Sequence, residues 1–302
     1  MTPQLFPEWI IMIRNTVSSL PLQGLRLLVV ATCAVLAVVS LPQPARSGDL
    51  PVLFDARERL PRPDISSLLR VRFLTTTDFP PFNFADQTGR LAGFHIDLAR
   101  AICGELGIEA KCQIQALPYS ELEPALAAGQ GEAVLAGMAV SEDLRARFSF
   151  TRPYMLLPAR FARNKDIELP GAGADALFGR RVGVVSGTAH EAMLRAFFPD
   201  IQAVPFADRD KMLEQLKGKK VDAVFADSLQ LSFWTAGDAA GNCCALFGQA
   251  YTSERFLGEG LTIMLRLDDA VLVAAFDSAL AALSRNGRLQ EIYLRYFPYG
   301  LF

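Results

Sequence analysis

The sequence is poor in several residue types, and each shortage excludes a class of function. Its 302 residues include only two histidines, which are too few for a histidine-rich metal site. Lys and Arg (30) nearly balance Asp and Glu (32), and the resulting net charge of −2 does not favour nucleic acid as a partner. The sequence contains no P-loop, no H-E-x-x-H and no G-x-S-x-G motif. We therefore predict no metal, no cofactor and no catalytic residues.

Apolar residues are plentiful, and one group of them lies close to the N-terminus. Hydrophobic residues make up 51% of the chain, enough to form one large or two medium domains. An uncharged run from Leu27 to Leu41 follows two arginines and precedes the small residues Ala45 and Ser47. This pattern predicts an export signal over residues 1–47, with cleavage after Ser47. A membrane anchor is the alternative, although a spanning helix needs roughly 20 apolar residues.

Export would place four cysteines, at positions 103, 112, 243 and 244, in an oxidising compartment. A bond between the adjacent residues Cys243 and Cys244 would be strained, so we expect them to have separate fates. The fifth cysteine, Cys33, lies inside the apolar run of the export signal.

The rest of the chain alternates between strand and helix patterns. Residues 48–69 are rich in Pro, Arg and Asp, which predicts a linker or a surface arm. From Val71 onward, β-branched runs alternate with amphipathic stretches, and the alternation restarts after Asn164. This rhythm predicts an α/β fold of two doubly wound lobes with mostly parallel sheets. Ligands bind such sheets at the carboxyl ends of strands, which points to the segments "TTTDFPPF", "AGMAVS", "VVSGTAH" and "FADS".

An ordered series of segments resembles a known family. "DFPPF", "GRLAGFHIDLARAI", "FSFTRPY", "RVGVVSGTAH", "KVDAVFADS" and "LAALSRNGRLQEIYLRYF" together are similar to bacterial extracellular solute-binding proteins of ABC transporters, the polar amino-acid-binding family. The resemblance implies a periplasmic monomer that binds an amino acid or organic acid by lobe closure and delivers it to an inner-membrane ABC permease. Two crossing segments would join lobe 1 (70–157 and 261–302) to lobe 2 (158–260).

The resemblance also implies ligand contacts. Phe79 would be an aromatic lid, Tyr119 would line the pocket, the backbone of Gly137 and Met138 would hold the ligand, and Asp227 would bind its ammonium group. The alternative role for Asp227 is a plain helix cap, although we favour the ligand contact. The complete set of candidate ligand-binding residues is Asp78, Phe79, Phe82, Tyr119, Gly137, Met138, Ala139, Arg145, Gly187, Thr188, Ala189, His190 and Asp227.

Some candidates have a physical basis of their own. A glycine turn at Gly187 leads into a helix, and the free amides near Thr188 would attract a carboxylate. His190 either contacts the ligand or faces solvent. For the other histidine, His95, we expect a solvated helix N-terminus. The family resemblance, together with the turn of the chain between them, further implies a disulfide between Cys103 and Cys112.

The sequence departs from the family pattern at the carboxylate site. Strict spacing puts Leu144 where the family has its binding arginine, and Ala189 replaces the second threonine of the "GTT" turn. We predict that the neighbouring Arg145 swings into the cleft instead, with a solvated Arg145 as the alternative. The less polar pocket would suit an aliphatic or aromatic side chain.

Two other functions stay open. The first is a periplasmic enzyme on the same fold, similar to the cyclohexadienyl (arogenate) dehydratases, although no catalytic motif supports it. The second is an accessory or sensor protein, to which only the additional arm at residues 48–69 points.

Overall fold

The computed structural model describes residues 49–302 apart from Ala56 and Ala139. The predicted export signal and the candidate Ala139 therefore lie outside the described residues. In the part of the chain that is described, no helix has the length and apolar character needed to cross a membrane.

Strands and helices alternate along the chain as the sequence pattern predicts. The strands are β1 (Val71–Thr75), β2 (Asp78–Phe79), β3 (Asn83–Ala85), β4 (Leu91–Ala92), β5 (Cys112–Ala116), β6 (Ala133–Val134), β7 (Phe148–Phe150), β8 (Ala159–Asn164), β9 (Arg181–Val185), β10 (Gln202–Phe206), β11 (Ala223–Asp227), β12 (Cys244–Tyr251) and β13 (Met264–Arg266). The α-helices are α1 (Phe94–Leu106), α2 (Tyr119–Ala127), α3 (Glu142–Arg147), α4 (Ala189–Phe197), α5 (Arg209–Lys217), α6 (Ser228–Ala236), α7 (Glu254–Leu257), α8 (Ala270–Arg285) and α9 (Arg288–Tyr296).

Two five-stranded sheets form the centres of two lobes, which confirms the predicted fold class. Lobe 1 has the strand order β5-β1-β6-β13-β7, and lobe 2 has the order β10-β9-β11-β8-β12. In lobe 1, β5, β1 and β6 are parallel, and in lobe 2 β10, β9 and β11 are parallel. The strands that follow the crossings between lobes, β8 and β13, run antiparallel to their neighbours.

Helix ends follow local signals in most places. Gly107 ends α1 in the left-handed conformation (φ 69°), and Ser141 caps α3 by accepting a hydrogen bond from the Leu144 amide (3.2 Å). Helix α2 begins at Tyr119, directly after Pro118, and has no side-chain cap. Proline favours the start of a helix, since its fixed φ and missing amide hydrogen suit that position.

The two segments that cross between the lobes lie against each other. Met155 and Leu261 form an isolated antiparallel bridge. Beside it, Gly260 has φ +105°, and a Cβ atom at this position would lie 2.6 Å from the carbonyl oxygen of Met155. Only glycine allows this close approach of two backbones.

The arm before β1 is packed against lobe 1. Leu50, Phe54 and Ile65 are buried in the same hydrophobic core as the helices α1, α8 and α9. Glu58 also forms an ion pair with Arg152, close to the first crossing segment, with Nη2 donating to Oε1 at 2.6 Å. The arm therefore contributes core residues to lobe 1.

Two disulfides are present. The predicted bond between Cys103 and Cys112 is confirmed, with Cα atoms 6.4 Å apart. The expectation for the other pair is wrong, because Cys243 and Cys244 are bonded to each other. Cys103 and Cys112 are paired with each other, so Cys243 and Cys244 have no other cysteine partner among the described residues. Asn242, with φ 57°, makes the turn that leads the pair into β12.

Candidate ligand-binding cleft

On lobe 1, two predicted site residues from separate segments come into contact. Phe79 in β2 is partly exposed and stacks on Phe82, with ring centroids 4.7 Å apart. Gly137 follows the buried end of β6 and has φ +73°. A Cβ atom at Gly137 would lie 2.6 Å from Cε1 of Phe79. The glycine therefore lets the Phe79 ring lie directly against the backbone.

The other lobe 1 candidates differ in what they can offer a ligand. Phe82 has no exposed surface and packs among core aromatic rings, so its predicted contact with ligand is corrected to support of Phe79 from behind. Met138 is buried in the core, which leaves only its backbone for a ligand. Asp78 and Tyr119 are both exposed, and Tyr119 begins α2 after the carboxyl end of β5.

His95 is not solvated, which corrects the expectation from the sequence. It is 1% exposed, and its ring bridges Asn83 and Tyr154. Asn83 donates from Nδ2 to Thr76 Oγ1 (2.5 Å), so its Oδ1 faces His95 Nδ1 at 2.7 Å, and Nδ1 carries the proton. The hydroxyl of Tyr154 then donates to Nε2 (2.8 Å). Burial lowers the pKa of His95 to about 3, so the imidazole is neutral.

On lobe 2, Asp227 lies at the carboxyl end of β11 and caps α6. Its Oδ1 accepts a hydrogen bond from the Gln230 amide at 2.9 Å. Burial raises the pKa of Asp227, while that hydrogen bond and the neighbouring His190 pull it down. Burial lowers the pKa of His190, and the charge of Asp227 partly offsets that effect. Asp227 therefore combines the role of a cap with that of a half-buried acid beside a histidine.

The turn from β9 into α4 is partly occupied by the protein itself. Glu191 Oε2 accepts a hydrogen bond from the Gly187 amide (2.8 Å), and Glu191 is also paired with Arg195. Thr188 caps the helix by accepting from the Glu191 amide at 3.3 Å. The amides of Ala189 and His190 lie in the first turn, where helix geometry provides no acceptor. A ligand carboxylate at this turn would therefore meet the amides after Gly187 more readily than that of Gly187.

Arg145 does not point into the cleft. It forms an ion pair with Glu259 in the second crossing segment and lies over the ring of Phe150 at 5.7 Å. Leu144 packs against the lobe 1 core. Arg145 therefore does not take the place of the family's binding arginine in this structure, because its guanidinium is paired with Glu259.

A cavity of about 1170 Å³ brings together residues of both lobes. From the predicted site it contains Asp78, Phe79 and Asp227, with Pro80, Pro81 and Leu157 on the lobe 1 and crossing side. Sequence reasoning missed its other polar members from lobe 2, namely Arg209, Asp210, Glu214, Lys217 and Gln230. The end of β10, "VPFADR", is also a carboxyl end of a parallel strand, and the rule that named the other four segments would have pointed to Arg209.

The described residues contain no cluster of three or more His, Cys, Asp or Glu side chains that could hold a metal ion. The cavity is lined by carboxylates, two cationic side chains, aromatic rings and aliphatic side chains. Such a surface can bind an organic ion by charge and hydrogen bonds.

Two α/β lobes, two adjacent crossing segments and a cavity lined by residues of both lobes define a two-lobed binding protein. Residues 71–299 match the family of bacterial extracellular solute-binding proteins, family 3. The chain belongs to this family.

Its relatives include named amino-acid-binding proteins. It is 30% identical over 227 residues to the putative ABC transporter arginine-binding protein 2 of Escherichia coli K12, covering 75% of this chain and 90% of the relative. It is also 30% identical over 234 residues to the L-arginine-binding protein of Pseudomonas aeruginosa, covering 77% and 89%. A substrate-binding domain of a putative amino acid ABC transporter from Streptococcus pneumoniae shares the fold, with a TM-score of 0.63, 24% identity, and coverage of 75% and 99%.

Proposed function

We propose that this chain is exported to the periplasm, binds an α-amino acid between its lobes and delivers it to an ABC permease. The observation that carries the proposal is Asp227, a half-buried carboxylate at the carboxyl end of β11 that lines the cavity. A half-buried carboxylate is partly removed from water, and a ligand ammonium group would supply the counter-charge that replaces this water. The names of the arginine-binding relatives support the same class of ligand.

The charges around the cavity favour a cationic amino acid. Four carboxylates line it but only two cationic side chains do, the latter being Arg209 and Lys217. The four acids are Asp78, Asp210, Glu214 and Asp227. Because this surplus of negative charge attracts cations and repels anions, a ligand with two positive groups and one carboxylate is the best match. Phe79 adds an aromatic face that a cation can stack upon.

The mechanism is closure of the lobes around the ligand, with release at the permease. Lobe 1 comprises residues 70–157 and 261–302, lobe 2 comprises residues 158–260, and the pair of crossing segments near Met155 and Leu261 is the hinge. The protein acts as a monomer and without turnover. Incubating the purified protein with arogenate or prephenate tests the enzymatic alternative, and we expect both compounds to be recovered unchanged.

A thermal-shift screen of residues 48–302 against the twenty L-amino acids tests the binding function. A ligand at 100 times its Kd should add about 2.7 kcal/mol of stability. Asp227→Asn keeps an oxygen that can cap α6 but removes the charge. We expect this variant to lose binding by about 2 kcal/mol or more, because it leaves the ligand ammonium unpaired.

Asp208→Asn is the matched control. Asp208 also caps a helix, by accepting from the Lys211 amide at 2.8 Å, but it does not line the cavity. This variant should bind like wild type. Equal losses in the two variants, or the absence of any stabilising amino acid, would contradict the proposal.

A further inference from the structure

Helix α3 supplies no cationic side chain that could bind a ligand carboxylate in the cleft. Neither Leu144 nor Arg145 presents a cation to the cavity, because the first packs in the core and the second pairs with Glu259. The cavity is surrounded by a surplus of carboxylates, which would repel the carboxylate of an amino acid. Helix amides at the start of α4 attract an anion, but they carry only partial charge. A full positive charge is therefore needed within reach of these amides.

Two cationic side chains line the cavity, and one of them is already engaged. Lys217, at the far end of α5, donates from Nζ to the carbonyl oxygen of Ala239 at 2.9 Å. Arg209, at the start of α5, has only long contacts, with Nη1 3.4 Å from Gln230 Oε1 and Nε 3.5 Å from Asp210 Oδ1. Its guanidinium therefore retains most of its capacity to donate hydrogen bonds.

The local helix does not explain why an arginine occupies position 209. A cation in the first turn opposes the positive end of the helix dipole, which makes Arg209 unfavourable for α5 itself. The cap of α5 is Asp208, whose side chain already accepts from the Lys211 amide. A charge that its own helix disfavours, at the edge of a ligand cavity, is typical of a residue retained for binding.

The order of the strands places Arg209 beside the other polar groups of the cleft. Strand β9 lies between β10 and β11 in the lobe 2 sheet, and all three are parallel. Arg209 follows β10, the Thr188 turn follows β9, and Asp227 ends β11. Because neighbouring strands are about 4.8 Å apart, the three strand ends that carry these groups form a row about 10 Å long. An α-amino acid fits this row with its ammonium group at Asp227 and its carboxylate between the α4 amides and Arg209.

We infer that Arg209 recognises the carboxylate of the ligand and takes the place of the guanidinium that α3 does not supply. This assignment rests on the proposed function, since it specifies how the same cavity distinguishes an amino acid from other cations. Lobe 2 then binds both ends of the ligand backbone, and lobe 1 contributes mainly the aromatic face of Phe79. Arg209 is thus a specificity-determining residue, which selects ligands that carry a carboxylate beside the ammonium group.

The test measures how much the protein gains from the ligand carboxylate. The probes are the L-amino acid that binds tightest among the twenty and its α-carboxamide, which keeps the ammonium group and side chain but lacks the negative charge. Calorimetry with wild type should show the free acid binding roughly 10- to 100-fold more tightly than the amide, as expected for loss of a charge-assisted hydrogen bond. In Arg209→Gln this ratio should fall to about one to three, through weaker binding of the acid with little change for the amide.

Lys211→Gln is the matched control, because Lys211 lies on the same helix, pairs with Asp208 and does not line the cavity. It should keep the wild-type ratio of acid to amide. An unchanged ratio in Arg209→Gln would overturn the assignment of Arg209 while leaving the proposed function intact. If none of the twenty amino acids binds wild type, the proposed function is refuted, and this inference with it.

Discussion

The buried histidine in lobe 1 makes the stability of the protein depend on mildly acidic pH. His95 is neutral in the folded state with a pKa of about 3, against a usual value of 6.5. Below the usual value the unfolded chain takes up a proton that the folded protein does not, so the free energy of unfolding falls as pH falls toward 3. Above the usual value the effect vanishes.

The expected magnitude follows from the size of the pKa shift. Each pH unit below the usual pKa removes about 1.4 kcal/mol from the free energy of unfolding. Between neutral pH and about pH 5 the loss from His95 should reach about 2 kcal/mol. This is a large fraction of the roughly 5–15 kcal/mol by which a typical folded protein is stable.

The assay is urea unfolding of residues 48–302 at several pH values between about 5 and 7.5, for wild type and His95→Gln. Glutamine cannot titrate, so the variant should lack the His95 contribution whatever its stability at neutral pH. The chain has only one other histidine, His190, which is present in both proteins and cancels in the comparison. If His95→Gln loses as much stability on acidification as wild type, the neutral buried histidine is refuted.

Two further predictions concern the arm and the hinge. Phe54→Ala should lower the free energy of unfolding by about 3–5 kcal/mol, because the ring is buried in the lobe 1 core, whereas Val52→Ala, at a side chain 73% exposed, should change it by less than about 0.5 kcal/mol. Equal effects in urea unfolding would show that the arm is not part of the core. Gly260→Ala should destabilise the protein by about 1–3 kcal/mol more than Gly258→Ala, because both have positive φ but only at Gly260 would a Cβ meet another backbone. A similar loss in the two variants, by the same method, would contradict the close packing of the crossing segments.

The parts of the fold that could be predicted from the sequence are those set by local signals. The order of strands and helices follows from hydrophobic period and from turn residues such as Gly107, which are encoded within a few positions of each other. The conformation of Gly187 and the cap at Thr188 are local in the same way. The Cys103–Cys112 pairing followed from the family resemblance and a short turn of the chain.

Two of the predictions that failed depend on contacts between residues far apart in sequence, whereas the unexpected Cys243–Cys244 bond joins neighbours. His95 is buried because Tyr154, 59 positions later, and the β3 strand close over it. Arg145 is drawn to Glu259, which is 114 positions away, and no pattern around residue 145 indicates that partner. The position of Arg209 is predictable because it follows a parallel strand, whereas the family pattern places its binding arginine in α3.

The network around His95 also bears on how the cleft closes. It links Thr76 and Asn83, which flank the strand that carries Phe79, to Tyr154 at the start of the first crossing segment. All four side chains of the network are buried and hydrogen-bonded, which holds this part of lobe 1 together as a unit. The acids and Arg209 that line the same cavity as Phe79 belong to lobe 2 except for Asp78. We therefore expect closure to carry a charged surface on lobe 2 toward an aromatic surface fixed to the hinge, with the ligand travelling on lobe 2.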